Sequence, residues 1–311
     1  MTKPLSTQGA TPLTHLGVIG ARGGDSAKFL QGQLTNDVTS LGAANACLAG
    51  FCSAKGRLQA SFVVASAAAD EFTLVCAASV LPATLKRLSM FVLRAQCKLR
   101  DATAEAPLCG LVGDTAAAQI GDLPVWGRRE STDVVTIRLP DVGGVPRCVV
   151  IGPSAEQVAA WPSVSLDLWR WLEVQSGVPM IEAATVEQFV PQMLNYEIVG
   201  GIDFQKGCYP GQEIVARSQY RGTIKRRMFL FDVDAAALPG QEVFHSADAA
   251  QPAGMVVNAA PRPDGSGSST LIEVKLAALD AGSLHLGTPD GAVLRLRALP
   301  YAVVSDAAQP A

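Results

Sequence analysis

Beyond about residue 227 the chain is cut into short β-type runs, and this punctuation constrains the fold more than any other feature. Met228–Val233, Gly254–Asn258, Leu271–Val274 and Val293–Leu296 alternate with Gly, Pro and Asp turns. Pro263-Asp264-Gly265-Ser266-Gly267-Ser268 reads as a flexible hairpin tip. Several short strands at this spacing predict a small β-barrel. The boundary is placed at residue 230, with a larger region over 1–230 and a C-terminal barrel domain over 231–311.

Upstream the texture is mixed. Residues 16–20 read as a strand, 23–26 as a turn and N-cap, and 27–34 as a short helix with Phe29, Leu30 and Leu34 on one face. Residues 45–51 and 57–66 read as strands joined by a turn at Ser53-Ala54-Lys55-Gly56, and 72–76 as another strand. Leu81–Leu93 fits an amphipathic helix, and 134–139 and 147–151 fit strands. Residues 168–176 fit a helix ended by Gly177 at C′, with Pro179 beyond it. Helices and strands do not follow strict β-α-β order, so the fold class is α+β.

The 311 residues are too many for one ordinary core and suggest two or three domains. Hydrophobic residues make up 49% and charged residues 17%, which suits large cores rather than disorder. A net charge of −3 gives no global reason to expect a nucleic-acid binder. Lys55, Arg57, Asp70, Glu71, Lys86 and Arg87 interrupt the most apolar stretch, so no run of about 18 uncharged apolar residues survives. The polar segment Met1–Thr14 has no apolar core of signal-peptide length. A soluble cytoplasmic protein with no membrane partner is expected. The seven cysteines include no CxxC pair, so neither a zinc ribbon nor a thioredoxin-type site is indicated and no metal site is expected. Six of them sit beside apolar or small residues and read as buried free thiols of a reducing compartment. Cys208 is the exception.

Cys208 lies in Gly200–Gly222, the segment richest in chemistry. Gly200-Gly201 permits a tight turn, residues 202–205 suit a short strand, and Lys206-Gly207-Cys208-Tyr209 forms a second turn. Pro210 suits the first position of a helix running to Tyr220 or Arg221, with Gly222 at C′. That places Cys208 at or just before a helix N-terminus and two residues from Lys206, where a thiolate would be stabilised. Glu213, Arg217 and Arg221 share one helix face. Residues 206–227 hold six cations (Lys206, Arg217, Arg221, Lys225, Arg226, Arg227) against Glu213 alone, a local +5 that implies an anionic partner. The bland alternatives are a surface i,i+4 pair for Glu213 and Arg217, a solvated turn at Lys225-Arg226-Arg227, and a packed thiol at Cys208.

Lys206-Gly207-Cys208-Tyr209-Pro210-Gly211-Gln212-Glu213, followed by Arg217 and Arg221-Gly222-x-x-Lys225-Arg226, resembles the signature of the YgfZ family of folate-binding proteins. That family is similar to the T-protein of the glycine cleavage system. The resemblance extends to Phe29–Val38, Ser53–Arg57, Gly177–Ile181, Phe189–Gln192 and, more weakly, Leu299-Pro300-Tyr301, in family order. It implies two interleaved α+β units around a central folate channel, closed by a C-terminal β-barrel. It implies tetrahydrofolate or a derivative as cofactor, and support for the assembly or repair of iron–sulfur enzymes. Iron–sulfur client enzymes or assembly proteins are then the partners, and tRNA modification is affected indirectly. Cys208 matches the family's functional cysteine, with Lys206, Gly207, Tyr209, Gly211, Gln212, Glu213, Arg217 and Arg221 as its motif and anion-binding support. Trp169 matches a tryptophan implicated in folate contact, its alternative being a core aromatic of its helix. Glu197 aligns with a carboxylate that the T-protein sets on the pterin ring. Leu16 stands where some members carry a second tryptophan.

Two other functions compete. The T-protein is an aminomethyltransferase and uses an aspartate just after the turn that corresponds to Lys55-Gly56. Here Arg57-Leu58-Gln59-Ala60-Ser61-Phe62 contains no carboxylate, which argues against that activity. Direct tRNA binding through residues 217–227 is the third reading, with only Tyr220 and Phe229 as nearby aromatics.

Overall fold

The chain begins in one sheet, builds a second, and returns to complete the first. The computed structural model describes residues 7–68, 70–131, 134–220 and 224–303. In chain order the first elements are β1 (Gly9–Pro12), β2 (Leu16–Arg22), α1 (Ser26–Gln31), β3 (Ala46–Cys52), β4 (Leu58–Ala68), β5 (Glu71–Ala77), α2 (Leu81–Val92) and β6 (Lys98–Asp101). They are followed by β7 (Leu108–Val112), α3 (Asp114–Ile120), β8 (Arg128–Ser131), β9 (Val134–Val142), β10 (Val145–Ile151), α4 (Ala155–Ala160), α5 (Leu166–Gln175) and α6 (Gln212–Tyr220). The remaining strands are β11 (Arg226–Val233), β12 (Glu242–His245), β13 (Asp248–Pro261), β14 (Ser268–Lys275), β15 (Leu284–Leu286) and β16 (Val293–Arg297).

One five-stranded sheet has the order β3-β4-β5-β2-β6 and the other β1-β7-β10-β9-β8. Because β1 belongs to the second sheet and β2 to the first, the two α+β units are interleaved. The period-2 alternation of each strand shows how they pack. Along β4, Ala60, Phe62 and Val64 turn toward Phe29, Leu30, Leu81 and Leu88 of α1 and α2. Val63 and Ala65 turn the other way, toward Ile137, Leu139, Val149 and Ile151 of the second sheet. Cys148 and Val150 on β10 then face Ala116 and Ile120 of α3. The sheets thus meet face to face, with helices on their outer sides.

Helix α5 joins this double sheet to the C-terminal part. Ser165 caps it, its hydroxyl accepting the Leu168 N–H at 3.1 Å, and Gly177 follows it at φ +67°. Its Leu168, Trp169 and Leu172 enter the inter-sheet core, and the Trp171 Nε1–H donates to Ser269 Oγ at 3.1 Å. Ser269 lies in a closed barrel of order β11-β14-β13-β12-β15-β16, in which β16 returns to pair with β11. The register shifts between Val256 and Asn258, and this bulge re-aims the Asn258 side chain. Asn258 accepts the Met180 N–H at 2.9 Å and donates to Met180 O at 2.8 Å and to Glu182 Oε1 at 3.0 Å. The barrel is strapped to the segment after α5 in this way.

Two expectations need correcting. Residues 202–205 form no strand, and α6 begins at Gln212 rather than at Pro210. No helix among the described residues is long and apolar enough to cross a membrane. Asn258→Ala should cost about 2–3 kcal/mol in urea unfolding, because it leaves both the N–H and the C=O of Met180 without partners.

Candidate functional site

The Cys208 loop is held by groups from distant parts of the chain instead of by strand pairing. Thr35 donates its hydroxyl to Gly201 O at 2.6 Å and accepts the Gly50 N–H at 2.7 Å. Asn36 Nδ2 donates to Gly200 O at 2.8 Å and Leu48 O at 2.7 Å, and the Asp203 N–H donates to Thr35 O at 3.0 Å. The Lys206 ammonium donates to Leu34 O at 2.6 Å and to Gln31 O, and lies 5.1 Å from the Tyr209 ring centroid. Residues 31–36 therefore cradle residues 200–206.

The far end of the loop presses on the turn at 53–57. Gly211 has φ +80°, and a Cβ there would meet Ser53 O and come within 2.6 Å of the Gly56 backbone. A Cβ on Gly56, itself at φ +68°, would meet Ile214 of α6 at 2.8 Å. Only glycine permits this approach of backbone to backbone. Cys208 is exposed on the loop between these anchors, beside exposed Gly207 and buried Tyr209. Gln212 is half-buried, and Glu213 and Arg217 are exposed. Since α6 starts four residues after Cys208, the thiol lies farther from the helix start than a helix beginning at Pro210 would put it.

The expected cationic surface is smaller than its formal charge. Burial brings the Lys206 ammonium down to about 8, opposed by Asp37, Asp203 and Cys208, and its donors are spent on backbone carbonyls. Arg226 pairs with Glu273, and Arg227 with Glu197 and with Gln192 O at 2.9 Å. Arg221 and Gly222 lie outside the described residues. Among the described residues, Arg217 and Lys225 form no ion pair, and the Glu213–Arg217 pair is not made.

A cavity opens between the two sheets and encloses ≈ 740 Å³ of atom-free space, its open mouth included. Leu16, Leu48, Val63 and Val75 wall it from one sheet and Ile137, Leu139 and Val149 from the other. Val178, Pro179 and Met180 close it after α5. The lining includes four polar side chains: Ser61, Arg147, Glu173 and Ser176. Largely apolar walls with a few polar groups are the usual composition of a small-molecule site.

Neither residue assigned to the ligand by resemblance reaches this wall. Trp169 is fully buried behind it, where a Cβ on Gly110 would lie 2.5 Å from its ring. Its Nε1–H donates to Glu173 Oε1 at 2.8 Å, so the tryptophan positions the carboxylate that does line the cavity. Glu197 lies in its ion pair with Arg227, away from the cavity. Phe62 and Trp126 are the aromatics among the residues at the wall, and the sequence reading missed Trp126. It is half-buried at φ +63°, a strained conformation for a bulky residue. Its N–H donates to Arg138 O at 2.9 Å and its C=O accepts the Ala46 N–H at 2.7 Å, so it links the two sheets. Glu173 was missed as well, although it falls four residues after Trp169 and so shares its helix face. Its Oε2 lies 2.9 Å from His15 Nε2. Arg147 is buried 5.5 Å from the Trp169 ring centroid. Leu48, Val63, Trp126 and Val178 also pack with Ile202 and Phe204, so the cavity wall and the cysteine loop share one apolar cluster.

The seven cysteines are all unpaired. Burial pushes the thiols of Cys47, Cys52, Cys76 and Cys148 up to about 12 and that of Cys109 up to about 11. Cys97 is half-buried and raised by the same cause. Thiols held protonated in this way are poor nucleophiles, which leaves Cys208 as the thiol open to chemistry. Among the described residues, no group of three or more His, Cys, Asp or Glu is placed to hold a metal ion.

No family model matches the chain. It is 34% identical over 226 residues to the tRNA-modifying protein YgfZ of Colwellia psychrerythraea, spanning 70% of this chain and 69% of that protein. Against the YgfZ protein of Sodalis glossinidius the identity is 31% over 300 residues, spanning 90% and 89% of the two chains. The chain belongs to the YgfZ family. The YgfZ protein of Escherichia coli is 28% identical over 296 residues. The crystal structure of glycine cleavage system aminomethyltransferase T from Bartonella henselae superposes with a TM-score of 0.76 at 16% identity, covering 94% of this chain and 86% of that one. The fold is thus shared with that enzyme. The sequence blocks that carry the YgfZ resemblance dock on one another: 31–36 on 200–206, 53–57 on 211–214, and Gly177 on Tyr301, whose hydroxyl donates to Gly177 O at 2.7 Å. Leu16 lines the cavity.

Gly211→Ala should lower stability by about 2–4 kcal/mol, combining a positive-φ penalty with a backbone clash. Limited proteolysis should then cut first within residues 200–211.

Proposed function

We propose that this protein binds tetrahydrofolate or a derivative in the inter-sheet cavity and supports the assembly or repair of iron–sulfur enzymes in the cytoplasm. On this reading its effect on tRNA modification is indirect. The observation that carries the ligand assignment is the cavity itself, walled by apolar faces of both sheets, with Trp126 on its side and the Glu173 carboxylate at its polar end. A reduced pterin is flat and carries adjacent N–H donors. Trp126 offers it an aromatic face and Glu173 an acceptor already oriented by Trp169 and His15. When bound, tetrahydrofolate would supply a carrier for one-carbon units.

Aminomethyl transfer is disfavoured by the wall opposite. The strand after Lys55-Gly56 brings Ser61 to the cavity, and its Oγ accepts the Ile181 N–H at 2.9 Å. A hydroxyl in that position does not take a proton from an amine as a carboxylate would. Direct tRNA binding through residues 217–227 loses part of its basis with the commitment of Arg226 and Arg227 to internal carboxylates. The exposed Cys208 thiol faces outward, toward a client protein, a sulfur species or a partner thiol. Seven unpaired cysteines suit a reducing compartment.

Titration with tetrahydrofolate should quench the tryptophan fluorescence. Trp126→Leu should remove most of the quench and weaken binding about tenfold, the worth of one lost aromatic contact. A wild-type signal unmoved at high micromolar ligand would end the folate reading. In cells lacking the protein, Cys208→Ala should fold yet fail to restore iron–sulfur enzyme activity and tRNA thiolation. Full rescue by that variant would remove Cys208 from the function.

A further inference from the structure

Arg147 differs from every other arginine whose side chain is well buried. Arg128, Arg138, Arg226 and Arg227 each meet a carboxylate, from Glu130, Asp141, Glu273 and Glu197 respectively. Arg147 is 2% exposed and lies in the apolar space between the sheets with no ion pair among the described residues. Its Nε and Nη2 donate to Pro140 O at 3.3 and 3.2 Å, and its guanidinium lies over the Trp169 ring. Its Nη1 is buried and meets no acceptor among the described residues. The side chain lines the cavity, beside Glu173.

A buried cation with an unanswered donor is costly, and an apolar side chain of similar volume would serve the core better. We infer that Arg147 reads the inner end of the cavity's ligand, its open Nη1 donating to an acceptor oxygen. That oxygen belongs to a neutral group. Glu173 and Asp141 already hold negative charge near the guanidinium, so the site lacks a hydrogen-bond acceptor, not an anion. An open donor from Arg147 next to an acceptor from Glu173 matches a lactam edge, with its C=O beside an N–H. Resting on the folate reading, this assigns Arg147 to the ring carbonyl of the pterin and Glu173 to its N–H donors. Among the described residues that line the cavity, Arg147 is the one cationic side chain. Arg147 would then be a specificity residue, separating oxo-pterins from their amino counterparts.

The test compares tetrahydrofolate with its analogue bearing an amino group in place of the ring carbonyl, by isothermal titration of the full-length protein. Wild type should prefer the oxo compound by about 10- to 100-fold, the usual worth of a charged hydrogen bond. In Arg147→Met the oxo compound should lose about that factor while the amino analogue changes little, so the preference shrinks to the part that Glu173 supplies through the lactam N–H. The melting temperature of the ligand-free variant should hold or rise, since an unanswered cation has been removed from the core. Arg147→Gln, which keeps an amide for Pro140 O but is shorter than arginine, should show the same loss and serves if the Met variant misfolds. Tetrahydrofolate binding with wild-type preference in either folded variant overturns the role of Arg147 alone. So does a drop in melting temperature with unchanged affinities, which marks a purely structural side chain. Failure of wild type to bind either compound overturns the folate reading, and this assignment with it.

Discussion

The approach of backbone to backbone at Gly211 and Gly56 is the constraint on which the functional surface depends. Two turns separated by about half of the chain touch there without intervening side chains. Similar contacts recur at Gly201 against the Tyr196 ring and at Gly177 against Tyr301. Hydrogen bonds from Thr35, Asn36 and Lys206 complete the fixation. A thiol on a loop of this kind is displayed at a defined place, although the loop has no regular secondary structure. The short sequence blocks that look like separate signatures are therefore halves of contacts.

The cavity expresses a different balance. Two sheets packed face to face would ordinarily close on each other, as α1, α2 and α3 close on their outer faces. Here Trp126 sits between them in a strained conformation, and Arg147 is buried, with half-buried Glu173 and His15 nearby, where apolar residues would pack more cheaply. The core gives up stability at this one place to keep space and polarity.

Much of the architecture was legible in the sequence, for identifiable reasons. Strands β2, β4 and β5, helices α2 and α5, and four of the barrel strands are long enough to show their periodicity or are bounded by clear Gly and Pro signals. Strands β1, β6 and β8 have four residues each, too few for alternation to be read. Residues 202–205 alternate like a strand but take their hydrogen bonds from Thr35 and from the Asp203 side chain, which accepts the Gln205 N–H. Lys206, Arg226 and Arg227 counted as surface charge because a charge run records formal charge and not direction. Trp169 and Trp126 have the same chemistry in the sequence. Only the packing of Gly110 under the first, and the turn carrying the second, separates a core aromatic from a wall.

The interleaving of the sheets has a consequence for the start of the chain. Strand β1 contributes four residues, yet it covers one side of β7, whose five residues Leu-Cys-Gly-Leu-Val are all buried. Without β1, an uncharged, wholly apolar strand would become the rim of its sheet, with its N–H and C=O groups free to recruit another chain. Gly9–Pro12 is in effect a gasket. Pro12 at one end, and residues 162–164 hydrogen-bonded to Ala10 along its outer edge, stop further pairing, and a molecule nicked just after it would be expected to self-associate before it lost its barrel.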